Sequence, residues 1–416
     1  MLRLSFGSWR GRLVLGTTLL ILVELLSLGM LAVLDRAWGI RYQPSHATVL
    51  SVEQRRIIED LLAERLDYLA YHKTFGWTIR PNARQASGLY RSNAQGLRED
   101  GAGVATPASA GMLRIAAFGD SFTHGDHVHS DETWAARLGQ SIHADVLNFG
   151  VPAYGVDQAY LRYQIEGVDS HPDIVLIGFV PENFHRHVNS FRPFYQPDTN
   201  IPMAKPRYRV HMGRLSLVPN PLPTLDEYRL LLQPDNPNWG YLLAVDPYAQ
   251  LFYWRRPLDR LATIRLGKVL RAQILERIND THVLEDGVYI QRSAGFDVTL
   301  KLLQQFSRKA TDHDSLPVIV ILPDCADIAA FKARGSKSYL RLLEILRNAR
   351  YRVVDAMPAF ASPDVPITEL CRTHYTAAGH ERVATFLAQY LKSERLLDPT
   401  VRRQILREER LARSES

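Results

Sequence analysis

Apolar runs and amphipathic stretches alternate through most of the chain. Runs that predict buried strands cover 114–118, 146–149, 172–179, 318–322 and 352–355. Stretches with apolar residues at helical spacing cover 133–142, 158–166, 296–310, 336–349 and 377–392. Because strands that alternate with helices build βαβ units, the pattern predicts an α/β fold with a parallel sheet.

Three further segments depart from this alternation. Residues 190–285 are rich in Pro, Tyr, Trp and Arg and are interpreted as an insertion with a hairpin and some helices. Residues 42–110 are expected to be a stalk and lead-in: an amphipathic helix over 42–75, then short strands and turns. Residues 396–416 predict a charged, solvated C-terminal helix, which leaves 111–395 as the α/β domain.

The stretch Leu13–Leu34 contains one charge, Glu24, and spans roughly 33 Å as a helix, enough to cross a membrane. Three arginines precede it in residues 1–12, which favours a cytoplasmic N-terminus. We therefore expect an uncleaved, single-pass signal anchor in a cell inner membrane, with the remaining domain in the periplasm. A cleaved secretion signal and a buried core helix are the alternatives. Glu24 is either tolerated singly or marks a helix–helix contact.

Composition narrows the class of protein. Of 416 residues, 46% are apolar and 23% are charged, which is typical of a globular chain with a large core. The net charge is +6, and half of it lies in the three N-terminal arginines, so a nucleic-acid partner is not expected. Two cysteines exclude a scaffold held together by several disulfides.

Ser121 is the first candidate for chemistry. It follows the predicted strand 114–118 in the sequence Gly-Asp-Ser and precedes a helix. This context places its hydroxyl at the carboxyl end of a parallel strand, where open α/β sheets build their sites. Free N–H groups at a helix start also favour a developing oxyanion there.

Four segments in order resemble the SGNH (GDSL-like) hydrolase superfamily over roughly residues 75–395: 119–125 (GDSFTHG), 148–155 (NFGVPAYG), 178–183 (GFVPEN) and 374–380 (HYTAAGH). Residues 76–82 and 93–98 also resemble the lead-in of membrane-anchored SGNH proteins associated with bacterial exopolysaccharide or cell-envelope clusters. The resemblance implies a flavodoxin-like three-layer fold.

The resemblance also implies roles for individual residues. Ser121 would be the nucleophile and a backbone oxyanion donor, and the Asn183 side chain a second donor. His374 would be the base that activates Ser121. Ala153 stands where the family has a glycine, and its backbone N–H would be a third donor if its conformation suits a residue with Cβ. No metal or organic cofactor is implied.

A second departure from the family concerns the catalytic acid. Cys371 stands three residues before His374, where the family has an aspartate. Glu369 and Asp364 are the nearest carboxylates in sequence. Either another carboxylate acts in its place, or the protein works as a slow Ser–His dyad.

The two cysteines are expected to lie on the same rim of the sheet. Cys325 follows the strand 318–322 at its carboxyl end, and Cys371 lies on the loop that must bring His374 to Ser121. An oxidising compartment permits a bridge. We therefore predict a Cys325–Cys371 disulfide, against the alternative of two free thiols.

Several other histidines and aromatic residues can be interpreted either as structural or as functional. No spacing makes His124, His127, His129 and His143 converge on a metal. His380 is expected to cap or pack a helix. His185 and His187 could line a cleft, although a surface loop is favoured. The Trp and Tyr residues of 239–254 could stack on sugars, but packing of the insertion is favoured.

Together these features predict a serine esterase of the SGNH type that acts on acyl esters, most simply O-acetyl, of an envelope or exopolysaccharide glycan. One alternative is an acyltransferase that passes the acyl group to a sugar hydroxyl. The other is a non-catalytic glycan-binding or assembly subunit with a degenerate site, which the Ala153 and Cys371 departures favour.

Overall fold

The computed structural model describes residues 9–42, 50–99, 111–233, 237–251, 256–278, 281–362 and 364–414. Eleven strands lie in these residues: β1 Leu69–His72, β2 Gly76–Ile79, β3 Arg114–Phe118, β4 Asp145–Asn148, β5 Ile174–Phe179, β6 Arg207–His211, β7 Arg214–Val218, β8 Leu284–Glu285, β9 Val288–Tyr289, β10 Leu316–Ile321 and β11 Val353–Asp355.

Five strands form one parallel sheet in the order β11-β10-β5-β3-β4. The α/β prediction with a parallel sheet is therefore confirmed; β3 has the predicted ends, and the other four core strands are shifted by one or two residues at an end. β1 with β2, β6 with β7, and β8 with β9 form separate antiparallel pairs. Because β3, β5 and β10 are neighbours, the loops after them meet at one edge.

The described helices are α1 Trp9–Trp38, α2 Val52–Leu62, α3 Ser121–His124, α4 Trp134–Ile142, α5 Val156–Arg162, α6 Asn183–Arg186, α7 Arg192–Tyr195, α8 Leu225–Leu231, α9 Pro237–Val245, α10 Ala262–Ile278, α11 Ala294–Asp312, α12 Cys325–Arg334, α13 Leu340–Asn348, α14 Ile367–Leu370, α15 Ala377–Ser393 and α16 Pro399–Ser414. The pattern did not predict α12, because Ile328 is its one buried apolar residue and no apolar periodicity marks it.

The main core lies around the parallel sheet. Every residue of β5 and β10 is buried, as expected for strands covered on both faces. The amphipathic helices α4, α11 and α15 contribute Trp134, Phe306 and Leu387 to this core. The apolar runs and helical spacings of the sequence thus correspond to the buried faces of these elements.

A second core joins the lead-in to the insertion. Its members include Ile58 of α2, Trp77 of β2 and Tyr228 of α8. The helix predicted over 42–75 is shorter than expected, and Gln54 near its start donates to the backbone of Pro197 and Thr199. This segment is therefore packed into the globular body and does not stand apart as a stalk.

α1 is long and apolar enough to cross a membrane by length and composition. Glu24 in its middle accepts hydrogen bonds from the backbone N–H groups of Ala262 and Thr263, at 2.6 and 3.2 Å. These residues begin α10, so of the two readings of Glu24 the helix–helix contact is confirmed.

The sequence predicted a solvated C-terminal helix. In the structure, α16 instead packs against the α/β domain. Arg402 is buried and donates to Asp173 at 3.0 Å and to the Leu396 carbonyl at 2.9 Å. Leu406 belongs to the main core. The sequence did not predict this apolar contact because the composition of the helix is charged overall. One apolar face is nevertheless enough to pack the helix against the domain.

Candidate active site

Ser121 begins α3 directly after β3 and is 5% exposed. Asp120 caps this short helix: its carboxylate accepts from the Phe122 N–H at 3.0 Å, and its carbonyl accepts from the His124 N–H at 2.8 Å. The Ser121 Oγ lies 2.8 Å from the Nε2 of His374. The structure thus brings together a serine and a histidine that are 253 residues apart in the chain.

The loop that carries His374 is tied twice to the loop after β10. The predicted Cys325–Cys371 disulfide is present. The Tyr375 hydroxyl donates to the carbonyl of Pro323 at 2.6 Å, and its ring packs edge-on against Phe122 of the nucleophile helix. Covalent and packing contacts therefore hold the imidazole against Ser121.

We expect loss of the bridge to be costly. The cysteines are 46 residues apart, so on the chain-entropy argument Cys371→Ser should lower the free energy of unfolding by roughly 3–4 kcal/mol. Urea unfolding of the variant and the wild type measures this. Mass spectrometry of a non-reduced digest should recover the linked peptides, and two alkylatable thiols in the native protein would contradict the bridge.

The loop 149–155 lies across the nucleophile helix. Asn148 Nδ2 donates to the Thr123 carbonyl at 2.9 Å, which joins the end of β4 to α3. A Cβ on Gly150 would lie 2.3 Å from the backbone nitrogen of His124, so only glycine fits this approach. With this close approach, Ala153 and Ser121 line one common cavity.

Ala153 has φ = +65°, the left-handed conformation that favours glycine. A residue with Cβ costs roughly 1–2 kcal/mol there, and neighbouring contacts hold the backbone in place. Trp77 Nε1 donates to the Pro152 carbonyl, Arg192 to the Ala153 carbonyl and Arg186 to the Tyr154 carbonyl, at 2.9, 3.2 and 2.7 Å. Ala153 therefore keeps a glycine-like conformation although it carries a Cβ.

Asn183 begins α6 after β5 and is buried. Its Nδ2 donates to the Asp120 carboxylate at 2.9 Å, and Arg186 lies 3.4 Å from the same carboxylate. Burial raises the pKa of Asp120, although both neighbours oppose the shift. An amide nitrogen carries two N–H groups, so one remains for a substrate oxygen.

Asn183→Ala is expected to lower kcat for ester hydrolysis by roughly 10²- to 10³-fold, the usual loss for one oxyanion donor. Steady-state kinetics distinguishes this loss in kcat from a change in substrate binding, which would appear in KM. Asn200→Ala is the control, because Asn200 is an exposed asparagine that lines the cavity beside Ser121. A change confined to KM would show that Asn183 only binds substrate.

The surroundings of His374 favour the uncharged form of its imidazole. Burial lowers its pKa to about 4, while the Asp126 carboxylate acts in the opposite direction. With Nε2 accepting from the serine hydroxyl, the neutral ring must carry its proton on Nδ1. Among the described residues no hydrogen-bond partner meets this buried Nδ1.

Neither carboxylate that the sequence offered as the third acid reaches His374. The side chains of Asp364 and Glu369 are both exposed. Glu369 contributes its backbone carbonyl, which accepts from the Thr376 hydroxyl near the start of α15. The nearest acids along the chain are therefore not the nearest acids in space.

Asp126 is a carboxylate on the same cavity as His374 that sequence reasoning missed. Its carboxylate lies 2.5 Å from His124 Nδ1, and His124 Nε2 lies 2.8 Å from the Tyr68 hydroxyl. Burial raises the pKa of Asp126, but the neighbouring histidines His124, His374 and His127 outweigh it, and the pKa is lowered overall. Burial also lowers the pKa of His124, so this pair is a carboxylate beside a neutral imidazole.

The available signal was the spacing Ser121-x-x-His124-x-Asp126, but the sequence analysis considered only the histidines of this region, and only for metal binding. The described residues contain no group of side chains that could hold a metal ion. His127 is exposed, and its ring meets the His374 ring edge-on at 4.7 Å.

The remaining histidines are structural. His380 Nδ1 accepts from the Trp134 N–H at 3.2 Å and so caps α4, and burial lowers the pKa of His380 to about 3. The favoured surface-loop reading of His187 is wrong: it is buried between Val156 and Thr299, at 3.0 and 2.6 Å. His185 is half-buried and lies 3.0 Å from the Tyr248 hydroxyl.

A cavity of about 780 Å³ opens beside Ser121 and His374. Aromatic residues of its lining include Tyr68 and Tyr90 of the lead-in, and none of the described tryptophan and tyrosine residues of 239–251. Trp239 and Tyr248 of that segment pack in the second core, as favoured, while residues 252–255 lie outside the described ranges. The cavity is large enough for a small molecule or for part of a polymer.

No model of a known protein family matches the chain, and no curated protein matches it in sequence. Solved structures match its fold at low similarity. A lipolytic protein of the G-D-S-L family from Desulfitobacterium hafniense is 13% identical over 67% of this chain and 98% of its own, with a TM-score of 0.33.

Two further structures are comparable. A lipase/acylhydrolase from Enterococcus faecalis is 12% identical over 68% of this chain and 96% of its own, with a TM-score of 0.34. A two-domain esterase active on acetylated mannans is 13% identical over 68% of this chain and 49% of its own, with a TM-score of 0.34. What the site can do follows from its own geometry.

Proposed function

We propose that this protein is an SGNH-type serine esterase, anchored in a cell inner membrane by α1, that removes acyl groups from an envelope or exopolysaccharide glycan in the periplasm. The observation that supports it most is the 2.8 Å contact between Ser121 Oγ and His374 Nε2 on a cavity. The neighbouring Ala153 backbone and Asn183 amide complete the arrangement that acyl transfer needs.

The reaction starts when Ser121 Oγ attacks the ester carbonyl carbon while His374 Nε2 takes the hydroxyl proton. The N–H groups of Ser121, Ala153 and Asn183 stabilise the negative charge that develops on the carbonyl oxygen. When the tetrahedral intermediate collapses, His374 gives its proton to the departing sugar oxygen. Water, activated by the same imidazole, then attacks the acyl-Ser121 ester and releases the carboxylic acid.

In this scheme Asp126 supplies the negative charge that an aspartate beside the histidine supplies in a triad. The imidazolium of His374 exists only transiently, and a carboxylate nearby stabilises it. The Cys325–Cys371 bridge and Tyr375 position the ring, so orientation and charge stabilisation come from different residues.

The cavity favours an uncharged acylated glycan over an acidic one. Among its described lining residues are four carboxylates, Asp67, Asp126, Glu182 and Asp324, and two guanidinium groups, Arg186 and Arg192. Arg186 is already paired with Glu182 and Asp120. An acidic polymer would therefore meet net repulsion.

The test is to treat the detergent-solubilised full-length protein with a fluorophosphonate probe and, separately, with p-nitrophenyl acetate. We expect covalent labelling of Ser121, found by peptide mass spectrometry, and release of p-nitrophenol. Absence of both would favour a non-catalytic glycan-binding subunit. Adding a sugar acceptor during turnover distinguishes hydrolysis from transfer, because an acyltransferase would release more p-nitrophenol than acetate.

The membrane topology is expected to be N-in and C-out, because Arg3, Arg10 and Arg12 precede the apolar stretch Leu13–Leu34. In a bacterial host a C-terminal alkaline phosphatase fusion should be active, and a green fluorescent protein fusion exported by the same route should be dark. The reverse pattern would place the domain in the cytoplasm and remove the envelope glycan from the proposal.

A further inference from the structure

We infer that residues 257–278 enter the outer half of the membrane beside α1 and give the domain a second contact with lipid. The segment comprises a short turn, 257–260, and α10. This inference rests on the proposed anchoring by α1 and goes beyond it, because a single spanning helix does not require any other part of the chain to meet the bilayer.

The depth of the contact follows from α1. Glu24 lies near the middle of Leu13–Leu34, about 15 Å from either end at 1.5 Å per residue. Its carboxylate accepts from the N–H groups of Ala262 and Thr263, and Ser27 Oγ lies 3.2 Å from Thr263 Oγ1. If α1 spans the bilayer over its apolar stretch, the start of α10 must lie at the same depth.

The polar groups at the contact between α1 and the start of α10 have partners, as membrane burial requires, whereas Arg260 is exposed. Glu24 satisfies the first free N–H groups of α10, which would otherwise lack partners in hydrocarbon. Asp259 is paired with Lys268 at 2.7 Å and accepts from the Tyr42 hydroxyl. Arg265 is an electrostatic partner of Glu24.

The outer surface of the segment is mostly apolar, although Arg260 is also exposed. Leu258 is 64% exposed, and Leu261 is also exposed. Along α10 three exposed residues follow at intervals of four and so share one face of the helix: Leu270, Ile274 and Ile278. Water would be an unfavourable neighbour for this face, which continues the exposed apolar surface of α1, whereas lipid acyl chains suit both.

Exposed arginines, Arg271 and Arg277, lie in the second half of α10. Their long side chains can extend toward phosphate headgroups while the helix stays at the lipid boundary. A helix that begins in hydrocarbon and ends among basic side chains is oriented from the membrane interior toward the interface. Two attachments would hold the catalytic cavity at a fixed attitude to the membrane.

The test uses nitroxide spin labels on single introduced cysteines in the full-length protein, reconstituted in nanodiscs of zwitterionic and anionic phospholipid. The native cysteines are bridged and do not compete for the label. Labels at Leu258 and Leu261 test the segment, Leu20 reports on α1, and Met212, 89% exposed at a hairpin turn, is the aqueous control. Collisions with oxygen, which concentrates in lipid, are compared with collisions with a water-soluble nickel chelate.

We expect labels at 258 and 261 to show the oxygen-rich, chelate-poor signature of the label at 20, and the label at 212 to show the opposite. Chelate access at 258 and 261 with lipid exposure at 20 would overturn the inference and leave the anchor intact. Chelate access at all three sites would overturn the anchoring as well. Shielding of 258 and 261 from both reagents would show protein there, such as a second copy, and would also overturn it.

An independent check addresses the contact between the helices. A Ser27→Cys, Thr263→Cys pair should form a disulfide in native membranes on mild oxidation, whereas Ser27→Cys with Gln273→Cys, about 15 Å further along α10, should not. Absence of the 27–263 bridge would remove the basis for placing α10 at that depth. Esterase activity is measured in the same samples, so failure of the proposed chemistry is recognised separately.

Discussion

Ser121→Ala is expected to reduce ester hydrolysis by about 10⁶-fold, which is the loss seen when the nucleophile of a serine enzyme is removed alone. The proposed acyl intermediate forms on Ser121 Oγ, which is the hydroxyl hydrogen-bonded to His374 Nε2. Kinetics with p-nitrophenyl acetate and labelling by a fluorophosphonate measure the loss. Both signals should vanish together.

The fold should survive this change. The serine hydroxyl makes one side-chain hydrogen bond, to His374, and removing a bond of this kind costs roughly 0.5–1.5 kcal/mol. Ser87→Ala is a matched control, because Ser87 lines the same cavity but is exposed and bonds to Gln85. Full activity in Ser121→Ala, or an equal loss in both variants, would contradict the assignment.

His374 is identified through the resemblance of residues 374–380 to the SGNH superfamily. Ser121 could also be predicted from its local context, because it follows a predicted strand and parallel strands bring their carboxyl ends to one edge. The Cys325–Cys371 bridge was predictable by the same reasoning. Asp364 and Glu369 failed as the acid because closeness along the chain was used where closeness in space decides.

The features that sequence reasoning missed depend on tertiary contacts. Asp126 lines the same cavity as His374 because α3 is short and the chain turns after it, at Gly125 with φ = +85°. A helix contact at Glu24 was one of two readings, but its partner Ala262 is 238 positions away and could not be identified from the sequence. Leu406 packs one face of a strongly charged helix, which composition averages conceal.

The second large effect is expected for Asp126→Asn, which should lower kcat by about 10²- to 10³-fold. Removing a directly bonded aspartate from a serine triad costs about 10⁴, and the loss here should be smaller because Asp126 acts on His374 through space. Asparagine keeps the shape, and its Oδ1 can still accept from His124. The variant therefore removes charge with little change in packing.

Matched variants separate charge from structure. Tyr68→Phe removes the hydroxyl at the far end of the Tyr68–His124–Asp126 chain but keeps the carboxylate, so it should lose far less activity. Glu369→Gln and Asp364→Asn should leave kcat unchanged, since neither side chain contacts His374. If Asp126→Asn is also unaffected, the protein works as a Ser–His dyad.

The pH profile of kcat/KM distinguishes an electrostatic role of Asp126 from a purely structural one. His374 must be neutral to act as base, so kcat/KM should rise with pH through its pKa of about 4 and then level off. The Asp126 anion favours the imidazolium and so raises that pKa against the effect of burial. Its removal should therefore shift the acidic limb of kcat/KM to lower pH while lowering the plateau. A lower plateau with an unmoved limb would mean that Asp126 supports the loop and does not stabilise the charge on His374.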